Sequence, residues 1–202
     1  MRFTLFFILL FSLKGLNAQL HNRLIKFNVG MTTEEFAHKA DIKAHNDTSD
    51  IKFEFVSKSP SLSYTHEYVF SNILSVSGKI GGQYMNIFFN DQHYGSPYIF
   101  ASINPALSLI YRGNFEYYIK LQLGASYWFN TPELLPDISR RVFPENANVF
   151  TGVTFAGINY YVSDKLGLNL ELSVWSPELV SFGLSYRYYK GGIPSIQEMQ
   201  DL

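Results

Sequence analysis

Between Phe115 and Phe129 apolar and polar side chains alternate without a break, and a period of two leaves the backbone one regular solution. Phe115, Tyr117, Ile119, Leu121, Leu123, Ala125, Tyr127 and Phe129 form one series, and Glu116, Tyr118, Lys120, Gln122, Gly124, Ser126 and Trp128 form the other. Successive side chains of a strand point to opposite faces, so this segment is a strand with one apolar and one polar face. The pattern returns in Leu166–Trp175, where the leucines oppose Gly167, Asn169, Glu171 and Ser173. It returns again where Val180, Phe182, Leu184, Tyr186 and Tyr188 oppose Ser181, Gly183, Ser185, Arg187 and Tyr189. Near the start, Ile25, Phe27, Val29 and Met31 oppose Lys26, Asn28 and Gly30. Ser61–Phe70, Ile73–Tyr84, Tyr98–Tyr111 and Val149–Val162 complete a set of about eight strands. The last of these changes its apolar face near Phe155, which points to a β-bulge or to a misplaced strand boundary. Pro105 removes one ladder hydrogen bond from its strand.

Tight turns fall at Phe70–Asn72, Arg112–Asn114 and Ser163–Lys165. Longer loops fall near Thr32–Pro60, Met85–Pro97 and Asn130–Asn148, with a short one at Ser176–Glu178. Short turns on one side and longer loops on the other describe an up-and-down barrel whose two termini share the short-turn side. Ile51–Val56 also alternates and is expected to extend the second strand. A soluble barrel would turn its apolar faces inward and its charges outward. Here the polar faces are thin in charge and rich in Gly, Ser and Asn, while the apolar faces are large. Tyr111, Phe115, Tyr117, Tyr160, Tyr186 and Tyr188 cluster at turns and strand ends, where an aromatic girdle belongs. Charged residues make up 16% of the chain, against about 25% in soluble domains. With 14 Tyr and 18 Phe, this composition suits an exterior that meets lipid. The expected fold is all-β, an eight-stranded antiparallel transmembrane β-barrel in a bacterial outer membrane.

The ends fit that destination. Met1–Ala18 reads as a secretory signal, with Arg2, an apolar run Phe3–Leu13 and a cut before Gln19. The run is about half of the roughly 20 residues that a membrane-spanning helix needs. The organisation expected is therefore a signal peptide over 1–18, a barrel over 19–189 and a periplasmic tail over 190–202. A net charge of −1 gives no electrostatic case for nucleic-acid binding. The absence of cysteine excludes disulfides, thiolate zinc sites, a cysteine nucleophile and a lipidated N-terminal cysteine.

Ser63–Tyr84 (SYTHEYVFSNILSVSGKIGGQY) and Phe182–Tyr189 (FGLSYRYY) resemble the strand–turn–strand units of small bacterial outer-membrane barrels, the broad family of the OmpA and OmpX barrels. The resemblance is one of pattern and covers nearly all of the mature chain. It implies a location and a fold; its members serve as envelope structural proteins, adhesins, complex subunits or, more rarely, lipid-modifying enzymes. Such barrels commonly end on an aromatic residue, whereas here Tyr189 is followed by Lys190–Leu202.

With the alternation fixed, the charges expected inside the barrel are Lys26, Glu67, Lys79, Glu116, Lys120, Glu171 and Arg187. An isolated buried charge is costly, so these should pair. An eight-stranded barrel is only wide enough for side chains to fill. An ion-paired polar plug is the expected result; a gated pore or a catalytic carboxylate pair would need space that this interior should lack. His66 faces outward with Leu62, Tyr64 and Tyr68. A lipid-modifying enzyme would need an outward Ser/His pair in the upper half of the strands, and His66 lies near the short-turn end without one. His38 and His45, among acidic neighbours in the first loop, match no metal-site spacing. Thr32–Glu35 fits a capping box that would open a short helix there. The Asn130–Asn148 loop mixes Leu134, Leu135 and Phe143 with Arg140 and Arg141, a composition suited to a partner surface or to packing over the barrel mouth. In the tail, Ile193, Ile196 and Met199 have the spacing of a short helical face. The expectation is a non-enzymatic barrel without cofactor or metal, in contact with outer-membrane lipid and, through loops or tail, with an envelope protein.

Overall fold

Nine strand segments follow one another along the chain: β1 (Asn22–Thr32), β2 (Phe53–Ser57), β3 (Ser61–Val69), β4 (Leu74–Phe89), β5 (Gln92–Arg112), β6 (Phe115–Trp128), β7 (Ala147–Tyr161), β8 (Leu166–Val174) and β9 (Glu178–Tyr189). The computed structural model describes residues 22–33, 43, 53–57, 59–71, 73–89, 92–129 and 147–189. The expected signal peptide, the histidines of the first loop, Glu34 and Glu35 of its capping box, most of the Asn130–Asn148 loop and the tail after Tyr189 lie outside them, while Thr32 of that box ends β1. All pairings are antiparallel. Strands β3, β1, β9, β8, β7, β6, β5 and β4 are joined in that order, and the β4–β3 pairing closes the ring. β2 continues the path of β3 along β4, pairing Phe53–Ser57 with Met85–Phe89. The barrel is thus eight-stranded, with one strand interrupted at residues 58–60.

Two expected connections are corrected. Met85–Pro97 is not a loop: β4 and β5 stay paired from Leu74↔Leu107 up to Phe89↔Gln92. Ile87, Phe88 and Phe89 are three apolar residues in a row, so the alternation stops in the sequence although the backbone ladder goes on. Above the barrel wall no sheet face has to meet lipid, and pairing needs no alternation. The second correction concerns Ser176–Glu178. Glu178 is the first residue of β9 and is buried. The register of β9 on β1 slips between Met31↔Val180 and Thr32↔Glu178. That bulge turns Glu178 inward, where strict alternation from Val180 would have placed Leu179.

The face change expected at Phe155 is present as a register shift between Thr154 and Ala156 against β8. Around Pro105 the β5–β6 register is kept, but the pairs between Ile103↔Leu123 and Ala106↔Lys120 are missing. Gly113 turns the β5–β6 hairpin with φ of 58°, the left-handed conformation that glycine adopts without a Cβ penalty.

The faces are sorted as a transmembrane barrel requires. Outward side chains are large and apolar; Phe27 is 61% and Ile103 64% exposed. In water such a surface would be unstable over this extent; in hydrocarbon it is the favourable one. Phe115, Tyr160, Tyr186 and Tyr188 are exposed at the short-turn end and form the girdle. The inside is polar, with Lys26 1% and Lys79 2% exposed. At the long-loop end Met85, Tyr98, Phe100 and Trp128 form a buried apolar cluster with Phe150 against it. The rings of Tyr98 and Trp128 lie 4.8 Å apart there.

Candidate functional site

Five of the seven expected lumen charges meet in the middle of the barrel, and an eighth charge joins them. Glu171 on β8 is the hub. Its Oε1 accepts from Lys120 Nζ at 2.6 Å and from the Tyr118 hydroxyl at 2.7 Å. Its Oε2 accepts from Lys79 Nζ at 3.4 Å. Lys79 also pairs with Glu178 at 2.5 Å, and Glu178 accepts from the hydroxyls of Ser61 (2.7 Å) and Ser63 (3.0 Å). Lys26 pairs with Glu67 at 2.9 Å and donates to the Tyr118 hydroxyl at 3.1 Å, with its ammonium 4.3 Å from the Tyr118 ring centroid. Ser75 donates the remaining bond to Glu67 at 2.5 Å.

Glu116 and Arg187 are not part of this cluster. They lie toward the short-turn end and meet at Tyr161, with the Arg187 guanidinium 3.7 Å from the Tyr161 ring centroid. Glu116 accepts from Ser108 at 2.7 Å, from Asn159 at 2.8 Å and from the Tyr161 hydroxyl at 3.4 Å. Asn169 links the two groups, donating to Tyr118 at 2.9 Å and to Asn159 at 2.8 Å.

Glu178 changes the charge balance. The sequence-level set held four bases and three acids; with Glu178 it holds four of each. In the central cluster, Lys26, Lys79 and Lys120 face Glu67, Glu171 and Glu178. Each desolvated ion costs several kcal/mol, an amount recovered only by close pairing and by hydrogen bonds to the remaining lone pairs. Every oxygen of Glu67, Glu116, Glu171 and Glu178 has such a partner.

Chemically, this arrangement ties β1, β3, β4, β6, β8 and β9 to one another across the lumen. Among the described residues, the lysines of this cluster are held by carboxylates and the carboxylates by lysines, hydroxyls and amides. Above the ions, Gln122 donates to Thr154 at 2.8 Å and accepts from Ser176 at 2.8 Å, a second polar layer beneath the aromatic cluster. On the outer face, Tyr64 Oη and His66 Nδ1 lie 3.3 Å apart and the His66 ring is 5.0 Å from Tyr68. No serine takes part in that group. Among the described residues, no three of His, Asp or Glu are placed to hold a metal ion.

No protein-family profile and no curated protein matches the chain. Among solved structures it is similar to the outer membrane protein OprG from Pseudomonas aeruginosa, with a TM-score of 0.53 and 9% identity over 85% of this chain and 98% of that one. Looser likenesses are a de novo designed transmembrane β-barrel (TM-score 0.46, 15% identity, 83% of this chain and 96% of that one) and Ail, the attachment invasion locus protein of Yersinia pestis. Ail, solved with the heparin analogue sucrose octasulfate, gives a TM-score of 0.41 and 10% identity over 83% of this chain and 97% of that one. These two fits are too loose to bear on this chain. At 9% identity the likeness to OprG speaks to architecture: the fold is that of an outer-membrane β-barrel.

Proposed function

We propose that this protein is a non-enzymatic barrel of the bacterial outer membrane, serving as a structural element or as a subunit of a larger envelope assembly. On this reading Met1–Ala18 directs export, and the loops and the tail Lys190–Leu202 make the protein contacts. The observation that carries it is the filled interior. A lumen closed by three lysine–glutamate pairings, a polar layer and an aromatic cluster favours a wall over a channel or a catalytic chamber. The apolar outward face and aromatic girdle support the membrane setting.

The test is gentle detergent extraction from native outer membranes, with a tag in the first loop so that the tail stays free. Particle mass and co-purifying proteins are then read together. The expected outcome is a stable larger particle that comes apart when residues 190–202 are deleted. A lone monomer would sink the subunit reading.

A further inference from the structure

Among the described side chains, the outward faces of the barrel strands carry two charges, Arg23 and Arg112. Arg112 closes β5 beside the Gly113 turn, where water reaches it. Arg23 is placed differently. It lies one residue inside β1, in register with Tyr68 on β3 and with Tyr188 on β9. Its guanidinium carbon is 5.1 Å from the Tyr68 ring centroid. Both tyrosines are about half exposed, at girdle height and one residue from their strand ends. No carboxylate among the described residues pairs with Arg23.

A cation with no carboxylate partner among the described residues, at the depth of lipid headgroups, calls for an anion. The guanidinium presents a planar fork that matches two phosphate oxygens at once, and it is more weakly hydrated than an ammonium. Tyrosine hydroxyls at this depth donate to the same oxygens while their rings stay among the acyl chains. We propose that Arg23, with the hydroxyls of Tyr68 and Tyr188, forms a binding site for the phosphate of a membrane phospholipid in the leaflet at the short-turn end, with preference for an anionic headgroup. The site rests on the membrane-barrel reading given above.

The probe is native mass spectrometry of the full barrel in detergent, titrated separately with phosphatidylglycerol, phosphatidylethanolamine and inorganic phosphate. The wild type is expected to retain phosphatidylglycerol over phosphatidylethanolamine. Arg23→Gln should weaken phosphatidylglycerol retention by about fivefold to tenfold, the size of one charge-assisted contact. Arg23→Lys should fall between, keeping the charge but losing the fork, and Arg112→Gln should behave as wild type. Unchanged retention in Arg23→Gln overturns the site. Displacement of bound lipid by millimolar inorganic phosphate also overturns it, since the cation would then be a general anion site. If Arg23→Gln does not fold, the double variant Tyr68→Phe/Tyr188→Phe decides: weakened retention supports the site and unchanged retention removes it. Failure of the wild type to insert into liposomes would sink the barrel reading, whereas insertion without lipid preference sinks the phosphate site alone.

Discussion

Both carboxylate oxygens of Glu171 are committed to three donors on β6 and β4, so its removal leaves Lys79 and Lys120 buried without full compensation. Breaking one partner of a buried pair typically costs about 3–5 kcal/mol, and Glu171→Gln is expected to destabilise the barrel by that amount. Urea unfolding from lipid vesicles, followed by tryptophan emission, measures it; a loss below about 1 kcal/mol would mean that the lumen is wet enough to screen its charges. Glu116→Gln should cost less, about 1–2 kcal/mol, because the Ser108 and Tyr161 hydroxyls and the Asn159 amide that donate to its carboxylate are neutral. Glycine gives a second contrast. A Cβ at Gly183 would run into the Phe27 carbonyl oxygen, whereas one at Gly78 meets nothing within 4 Å. Gly183→Ala should fail to refold or unfold at much lower urea, and Gly78→Ala should refold at least as well as wild type; equal behaviour of the two would refute the close β9–β1 approach. At this scale the sequence reading located Lys26, Glu67, Lys79, Lys120 and Glu171 on inward positions because each sits in an unbroken alternation. It could not locate Glu178, whose direction depends on a bulge set by its neighbour β1, or separate Glu116 and Arg187 from the central cluster, which depends on register around the ring.

The β4–β5 hairpin is the element that outgrows the barrel. β6 pairs up to Tyr98↔Trp128 and Phe129 N donates to the Pro97 carbonyl, so residues 92–96 of β5 run past its last described contact, roughly 17 Å along the strand. Replacing residues 87–94 by Asn-Gly would join the paired residues Asn86 and Gly95 through a two-residue hairpin turn. This change leaves Met85, Tyr98 and the ion network in place and takes away only the β4 partners of Phe53, Glu54 and Phe55 on β2, so the shortened barrel is expected to insert into liposomes and unfold at the wild-type urea concentration. A barrel that no longer inserts would show that the overhang is needed for assembly. Strand existence was legible wherever one face had to be apolar; at Phe155 the alternation showed a face change that a bulge or a misplaced boundary would equally produce, and the register against β8 shows the bulge. The overhang was not, because a paired ribbon clear of the bilayer is under no demand to alternate.

For the whole molecule, a filled lumen has a direct electrical expectation. Reconstituted into planar bilayers, the wild type should give no stepwise conductance, and discrete openings of fixed size would contradict the packed interior. The lysine–glutamate contacts also run across the ring as well as between neighbours. Glu171 on β8 reaches Lys79 on β4, and three strands lie between them along the sheet. In an open, partly inserted sheet those two groups would be far apart, each still holding its own water. Neutralisation therefore waits for the seam to shut, which ties entry into the bilayer and ring closure into one cooperative act. A stable half-built intermediate, with its lysines stranded in hydrocarbon, has no place on such a route.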